Sequence, residues 1–98
     1  MEIRQLQAQA LATSERKGWW WAHADYDLLM RKLMLLASEV GEAARVVQAA
    51  AERAQVLDRQ ALAEELADCV IRAADIAGHL GLDLDRAVEA KLRRNQER

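Results

Sequence analysis

The chain reads as an all-α protein, a bundle of four helices. Three observations point there. It contains no proline and four glycines in 98 residues, so little breaks a helix. Its apolar fraction of 52% is rich in alanine, with no phenylalanine and four aromatic residues, Trp19, Trp20, Trp21 and Tyr26. Its apolar residues recur at spacings of three and four, the helical period. The first helix spans about Glu2 to Lys17, with Ile3, Leu6, Ala10 and Thr13 inward and Gly18 as its stop. Residues 19 to 25 form a connector. The second and longest helix runs from about Asp27 to Arg53. Asp58 caps the third, which continues to about Leu80, with Gly81 where a left-handed residue is needed. Asp83 caps the fourth, which reaches about Arg94. Short connections make neighbouring helices antiparallel.

Length and charge narrow the function. Ninety-eight residues make one domain, 1–98, with a modest core that oligomerisation would reinforce. A net charge of -2 offers no basic stripe for a nucleic-acid polymer. The lone Cys69 excludes an internal disulfide and suits a reducing cytoplasm, the expected location. No apolar run approaches the roughly 20 residues of a membrane span, and the polar N-terminus does not read as a signal peptide.

Helix two is apolar on most of its circumference. Leu29, Leu33, Leu36, Val40, Ala43 and Val47 form one seam, expected to face the core. Met30, Met34, Ala37, Gly41 and Ala44 form a second beside it, and Leu28, Leu35 and Val46 flank Glu39 on a third side. Such a helix needs burial from more than one direction, which predicts a homodimer or homotetramer assembled through it. In helix three, Leu62, Leu66, Cys69, Ala73, Ile76 and Leu80 form the expected core seam. Glu65, Asp68, Arg72, Asp75 and His79 form a charged side.

Two acid pairs carry the chemistry. Glu39 and Glu42 are three residues apart on helix two, and Glu65 and Asp68 are three apart on helix three. On a helix, residues at that spacing lie one turn apart and roughly 60° around the axis. Each pair presents a two-pronged set of oxygens. Facing each other, four carboxylates repel unless a cation sits among them, and oxygen-only ligands select hard divalent ions, Mg²⁺ above all, with Mn²⁺ as a substitute. Acid pairs at this spacing are also common as plain surface charge. The apolar setting of the first pair argues against that, because charge there is costly unless compensated. The absence of a Glu-x-x-His pattern argues against di-iron redox chemistry.

The sequence resembles the MazG-like all-α nucleoside triphosphate pyrophosphohydrolases, marked by E-x-x-E followed by E-x-x-D. Here these are Glu39-Val40-Gly41-Glu42 and, after a gap of twenty-two residues, Glu65-Leu66-Ala67-Asp68. The flanks match in order: Lys17-Gly18-Trp19-Trp20, the run from Lys32 to Glu39, Ile71-Arg72 with Asp75, Gly81-Leu82-Asp83-Leu84, and Lys91 with Asn95. The likeness covers about Lys17 to Arg98. Arg45 and Gln48 depart from it, standing where relatives often carry an acid and an arginine. Ala22 and Ser38 replace frequent acids, and these departures bear on substrate choice.

The resemblance implies Mg²⁺-dependent hydrolysis of a (deoxy)nucleoside triphosphate to the monophosphate and pyrophosphate, a nucleotide-pool house-cleaning activity. Glu39, Glu42, Glu65 and Asp68 are then the metal ligands, with Glu39 also the acceptor of the attacking water's proton. The expected substrate-binding residues are Trp20, Lys32, Arg72, Lys91 and Asn95. Each has a plainer alternative. Trp20 stacks on a base or packs as a lid with its neighbours. Lys32 holds a phosphate or pairs with Glu39. Arg72 reaches a phosphate or pairs with Asp68 or Asp75. Lys91 and Asn95 continue the Leu84, Val88 seam towards phosphate and sugar, or Lys91 covers apolar surface with its stem. Two other functions compete: a non-catalytic helical oligomer that keeps the acids for structure, and a phosphoribosyl-ATP pyrophosphatase on the same fold.

Overall fold

The computed structural model describes residues 1–17 and 26–98. The expected stop at Gly18, the connector and the three tryptophans fall outside the described residues. Four helices follow in order: α1 (Ile3–Arg16), α2 (Tyr26–Glu52), α3 (Arg59–His79) and α4 (Leu84–Gln96). There are no strands among the described residues. The described residues fall into two compact units. One holds α1, the end of α3 from Ala74, and α4; the other holds α2 and α3 up to Ala73.

The helix ends are set by local chemistry. The Asp58 carboxylate accepts from the Ala61 N–H at 3.0 Å, starting α3. The Asp83 carboxylate accepts from the Arg86 N–H at 3.1 Å, starting α4. At the end of α3, Gly81 adopts a φ of 69°, the Gly81 N–H donates to the Gly78 carbonyl at 3.2 Å, and the Leu82 N–H donates to the Ala77 carbonyl at 2.9 Å. These two bonds and the left-handed glycine form a Schellman motif. The end of α2 repeats it without a glycine. Ala54 holds a φ of 50°, with Ala54 N–H to Ala51 O at 3.4 Å and Gln55 N–H to Ala50 O at 3.0 Å.

In the first unit, α1 packs against α4 and the end of α3. Its inner side is the expected one: Ala10 is buried and Ile3, Leu6 and Thr13 are half-buried, joined by the fully buried Ser14. Gly78 lets α1 approach closely, for a Cβ there would lie 3.0 Å from the Gln7 carbonyl oxygen and 3.2 Å from the Leu11 Cβ. The Gln7 side-chain amide donates to the Leu82 carbonyl at 2.6 Å. Arg4 lies 3.5 Å from Asp83 and 3.1 Å from Asp85, tying α1 to the first turn of α4.

The second unit is a helical hairpin. The midpoint of α2 at Glu39 meets α3 between Glu65 and Arg72, and the short connection over 53–58 can join helices that meet there only if they run antiparallel. The face that α2 turns inward differs from the expected seam. The sheltered residues are Leu28, Leu29, Lys32, Leu36, Glu39, Gly41, Ala43, Val46, Ala49 and Ala50. Leu29, Leu36 and Ala43 belong to both seams, whereas Leu33, Val40 and Val47 are exposed, Val40 at 56%. In α3 likewise, Glu65 and Arg72 turn inward, while Leu66, at 52%, and Leu80 are exposed. The α3 seam holds at Leu62, Cys69, Ala73 and Ile76, and the α2 seam at Leu29, Leu36 and Ala43; apolar count misplaced the remaining positions because the hairpin encloses charged groups there. The more apolar surfaces are left outside.

Candidate metal and nucleotide site

The site is built on the inward face of that hairpin. Glu39 on α2 and Glu65 and Asp68 on α3 each offer a carboxylate oxygen, and the three oxygens lie within 4.8 Å of one another. Their convergence follows from periodicity. Glu65 and Asp68 stand one turn apart, and Glu39 faces them because α2 packs through the 32, 36, 39, 43 stripe. Glu39 and Glu65 are half-buried and Asp68 is exposed, so the group has a sheltered side and an open side.

One guanidinium enters the group. Arg72 Nη2 lies 3.5 Å from Glu39 Oε1 and donates to it, across 33 residues of chain. The sequence offers Asp68 or Asp75 as the partner of Arg72; the structure brings it to Glu39, reached only through the tertiary fold. The positive charge does not balance the acids. The Glu65 carboxyl is pushed above its ordinary value, first by burial and then by the negative charges of Asp68, Glu39, Glu42 and Glu64.

Glu42, the fourth expected ligand, stands outside the gathered three. Arg45, one turn along α2, donates to Glu42 Oε1 at 2.8 Å on a largely exposed stretch. Lys32 lies two turns before Glu39 on the same stripe and is 6% exposed, unusually buried for a lysine. Lys91 and Asn95 belong to the other unit and are exposed on the last turns of α4, so the Leu84, Val88 seam opens to solvent before it reaches them. Trp20 lies outside the described residues. Cys69 is half-buried, between the acid pair and Arg72 along α3.

The donor set suits a hard cation. Among the described residues it consists of carboxylate oxygens from two helices, with neither sulfur nor imidazole in the group. A model of the MazG nucleotide pyrophosphohydrolase domain matches residues 29–98, which takes in α2 from Leu29, all of α3 and α4, and every gathered acid. The chain belongs to the MazG family. The MazG match begins after α1. No curated protein and no solved structure matches the chain significantly. Membership makes this a nucleotide pyrophosphohydrolase domain, from a family that generally depends on metal, and the acid group is where a metal fits. Among the described residues, no helix is long and apolar enough to cross a membrane.

Proposed function

We propose that this chain hydrolyses a (deoxy)nucleoside triphosphate to the monophosphate and pyrophosphate, with Mg²⁺ as its cation and Mn²⁺ as a substitute, clearing unwanted nucleotides from the pool. The observation that carries this reading is the meeting of Glu39, Glu65 and Asp68 within 4.8 Å in a chain of the MazG family. In this reading those three carboxylates hold the cation, and Glu42 joins them by leaving its exposed pairing with Arg45.

The substrate is a polyanion and the site is anionic, so the two combine through a bridging cation. When bound, that cation neutralises phosphate charge and makes a coordinated water more acidic. The protein's own residues do the rest. Glu39, sheltered and beside the open side of the group, accepts the proton of the attacking water. Arg72 and Lys32 supply positive charge for the phosphates from the inner stripe. Lys91 and Asn95 on α4 contact phosphate and sugar, and Trp20 stacks on the base. Positioning and charge neutralisation are the main demands of phosphoryl transfer, and this residue set serves both.

The reading includes an assembly. Met30, Leu33, Met34, Val40 and Val47 leave an exposed apolar stripe along α2, and Leu66 and Val70 add another on α3. Surfaces like these call for a partner, and we propose a homodimer or homotetramer of single all-α domains formed through α2. Val40→Lys is expected to reduce the mass seen by light scattering; an unchanged assembly removes α2 as the interface.

The deciding experiment is pyrophosphate release from a panel of ribo- and deoxynucleoside triphosphates and phosphoribosyl-ATP, with and without Mg²⁺. Turnover that requires the cation and favours one nucleotide is expected. Silence across the panel, together with no Mg²⁺ heat in titration calorimetry, removes the enzyme in favour of a non-catalytic helical oligomer.

A further inference from the structure

Among the described residues, Glu39 is the one acid of the gathered three that pairs with a cationic side chain, and the partner is Arg72. Arg72 rises from the α3 stripe that carries the other two acids, four residues after Asp68 and seven after Glu65. The pair is sheltered, with side chains 30% and 17% exposed, against 65% and 48% for Arg45 and Glu42. Water and salt therefore screen Arg72 much less than Arg45.

A guanidinium is always charged, so it cannot step aside by losing a proton. Placed on Glu39 Oε1, it occupies one of the oxygen's acceptor directions and repels any cation approaching the same carboxylate. Its hold is weak, since 3.5 Å is the long end of a charged contact. A weakly held fork-shaped donor beside a nucleotide site is well suited to phosphate oxygens.

We propose that Arg72 is an exchangeable counter-ion: it competes with the divalent cation for Glu39 and, once displaced, engages a phosphate of the nucleotide. This inference rests on the reading of Glu39, Glu65 and Asp68 as cation ligands. It differs from a fixed structural ion pair in sign. Removing a structural pair would disorder Glu39 and weaken cation binding, whereas removing a competitor strengthens it.

The test is calorimetric titration of the full chain with MgCl₂, alongside steady-state nucleotide kinetics at saturating Mg²⁺. Arg72→Gln and Arg72→Met both remove the charge, and either folded variant suffices. Each is expected to bind Mg²⁺ about three- to tenfold more tightly than the parent, the scale of one nearby charge acting on a dication. The same variants are expected to raise the nucleotide KM by about tenfold or more, through loss of a charged phosphate contact. Arg72→Lys keeps the charge and is expected to restore Mg²⁺ affinity to within about twofold of the parent. Unchanged or weaker Mg²⁺ binding in the uncharged variants overturns the competition, and an unchanged KM overturns the phosphate contact. If the parent chain itself binds no Mg²⁺, the cation-site reading falls and this inference falls with it.

Discussion

Arg45 Nη2 donates to Glu42 Oε1 at 2.8 Å, one turn apart on α2, and Glu42 is the one acid of the two motifs outside the gathered three. Both side chains are about half exposed or more. Pairs of this kind contribute about 0–1 kcal/mol, so the contact is easily given up. Glu42→Gln is therefore expected to weaken Mg²⁺ binding in titration calorimetry, while Arg45→Gln leaves it within about twofold. Equal Mg²⁺ affinity in parent and Glu42→Gln would exclude Glu42 from the site.

Neutralising the gathered acids separates chemistry from folding. Glu39→Gln, Glu65→Gln and Asp68→Asn are each expected to lower kcat/KM by about a thousandfold or more, the scale of losing electrostatic stabilisation at the reacting group, with the helical circular dichroism retained. Two of the three variants remaining active would contradict the assignment.

Glu65 also gives the cation-free protein a pH signature. Its carboxyl is raised above the usual 4.5 by burial and by neighbouring negative charge. The folded state then holds the proton more tightly than the unfolded chain. The associated stability is fully present below the ordinary glutamate value and is lost as pH rises through the elevated one. In EDTA, the Tm of Glu65→Gln is expected to fall less than that of the parent between pH 4.5 and neutrality. Parallel curves would show that Glu65 carries no such burden.

Asp83 has the opposite sign. The Arg86 backbone N–H, chiefly, and the charge of Arg4 hold its carboxyl below the ordinary value. Its contribution is present above the unfolded value and is lost as pH falls through the depressed folded one. Asp83→Asn keeps a capping oxygen but cannot titrate, so its urea midpoint is expected to show a shallower acid limb than the parent's. Asp83→Ala removes the cap and is expected to lower the midpoint at neutral pH as well.

The two Schellman ends of this chain differ by one residue type. Gly81 meets the left-handed requirement at the end of α3, whereas Ala54 meets it with a Cβ at a φ of 50° at the end of α2. Ala54→Gly relieves that crowding at some cost in chain entropy, and a net gain of about 0.5–1 kcal/mol is expected. That corresponds to a rise in Tm of roughly 2–6 °C for a chain of this size. A fall in Tm would mean that the end of α2 is not strained.

Four helices and the caps at Asp58, Gly81 and Asp83 were legible along the chain, because these depend on residues a few positions apart. Asp58, Gly81 and Asp83 act on backbone groups within one turn of themselves, so their roles could be read in order along the chain. The two acid motifs at helical spacing led to the expectation of four gathered carboxylates if the helices face each other, and three of them, Glu39, Glu65 and Asp68, do gather. The rotation of each helix about its own axis was set by the packing between helices. Leu33 and Val40 look like core residues from hydropathy, yet the hairpin encloses Lys32 and Glu39 in their place. Hydropathy registers how apolar a face is but not which surface covers it, and a face covered by another copy looks the same as one covered by its own chain. The partner of Arg72 was hidden for the same reason. Asp68 and Asp75 are neighbours in sequence, whereas Glu39 is 33 residues away and becomes a neighbour only when α2 and α3 pack.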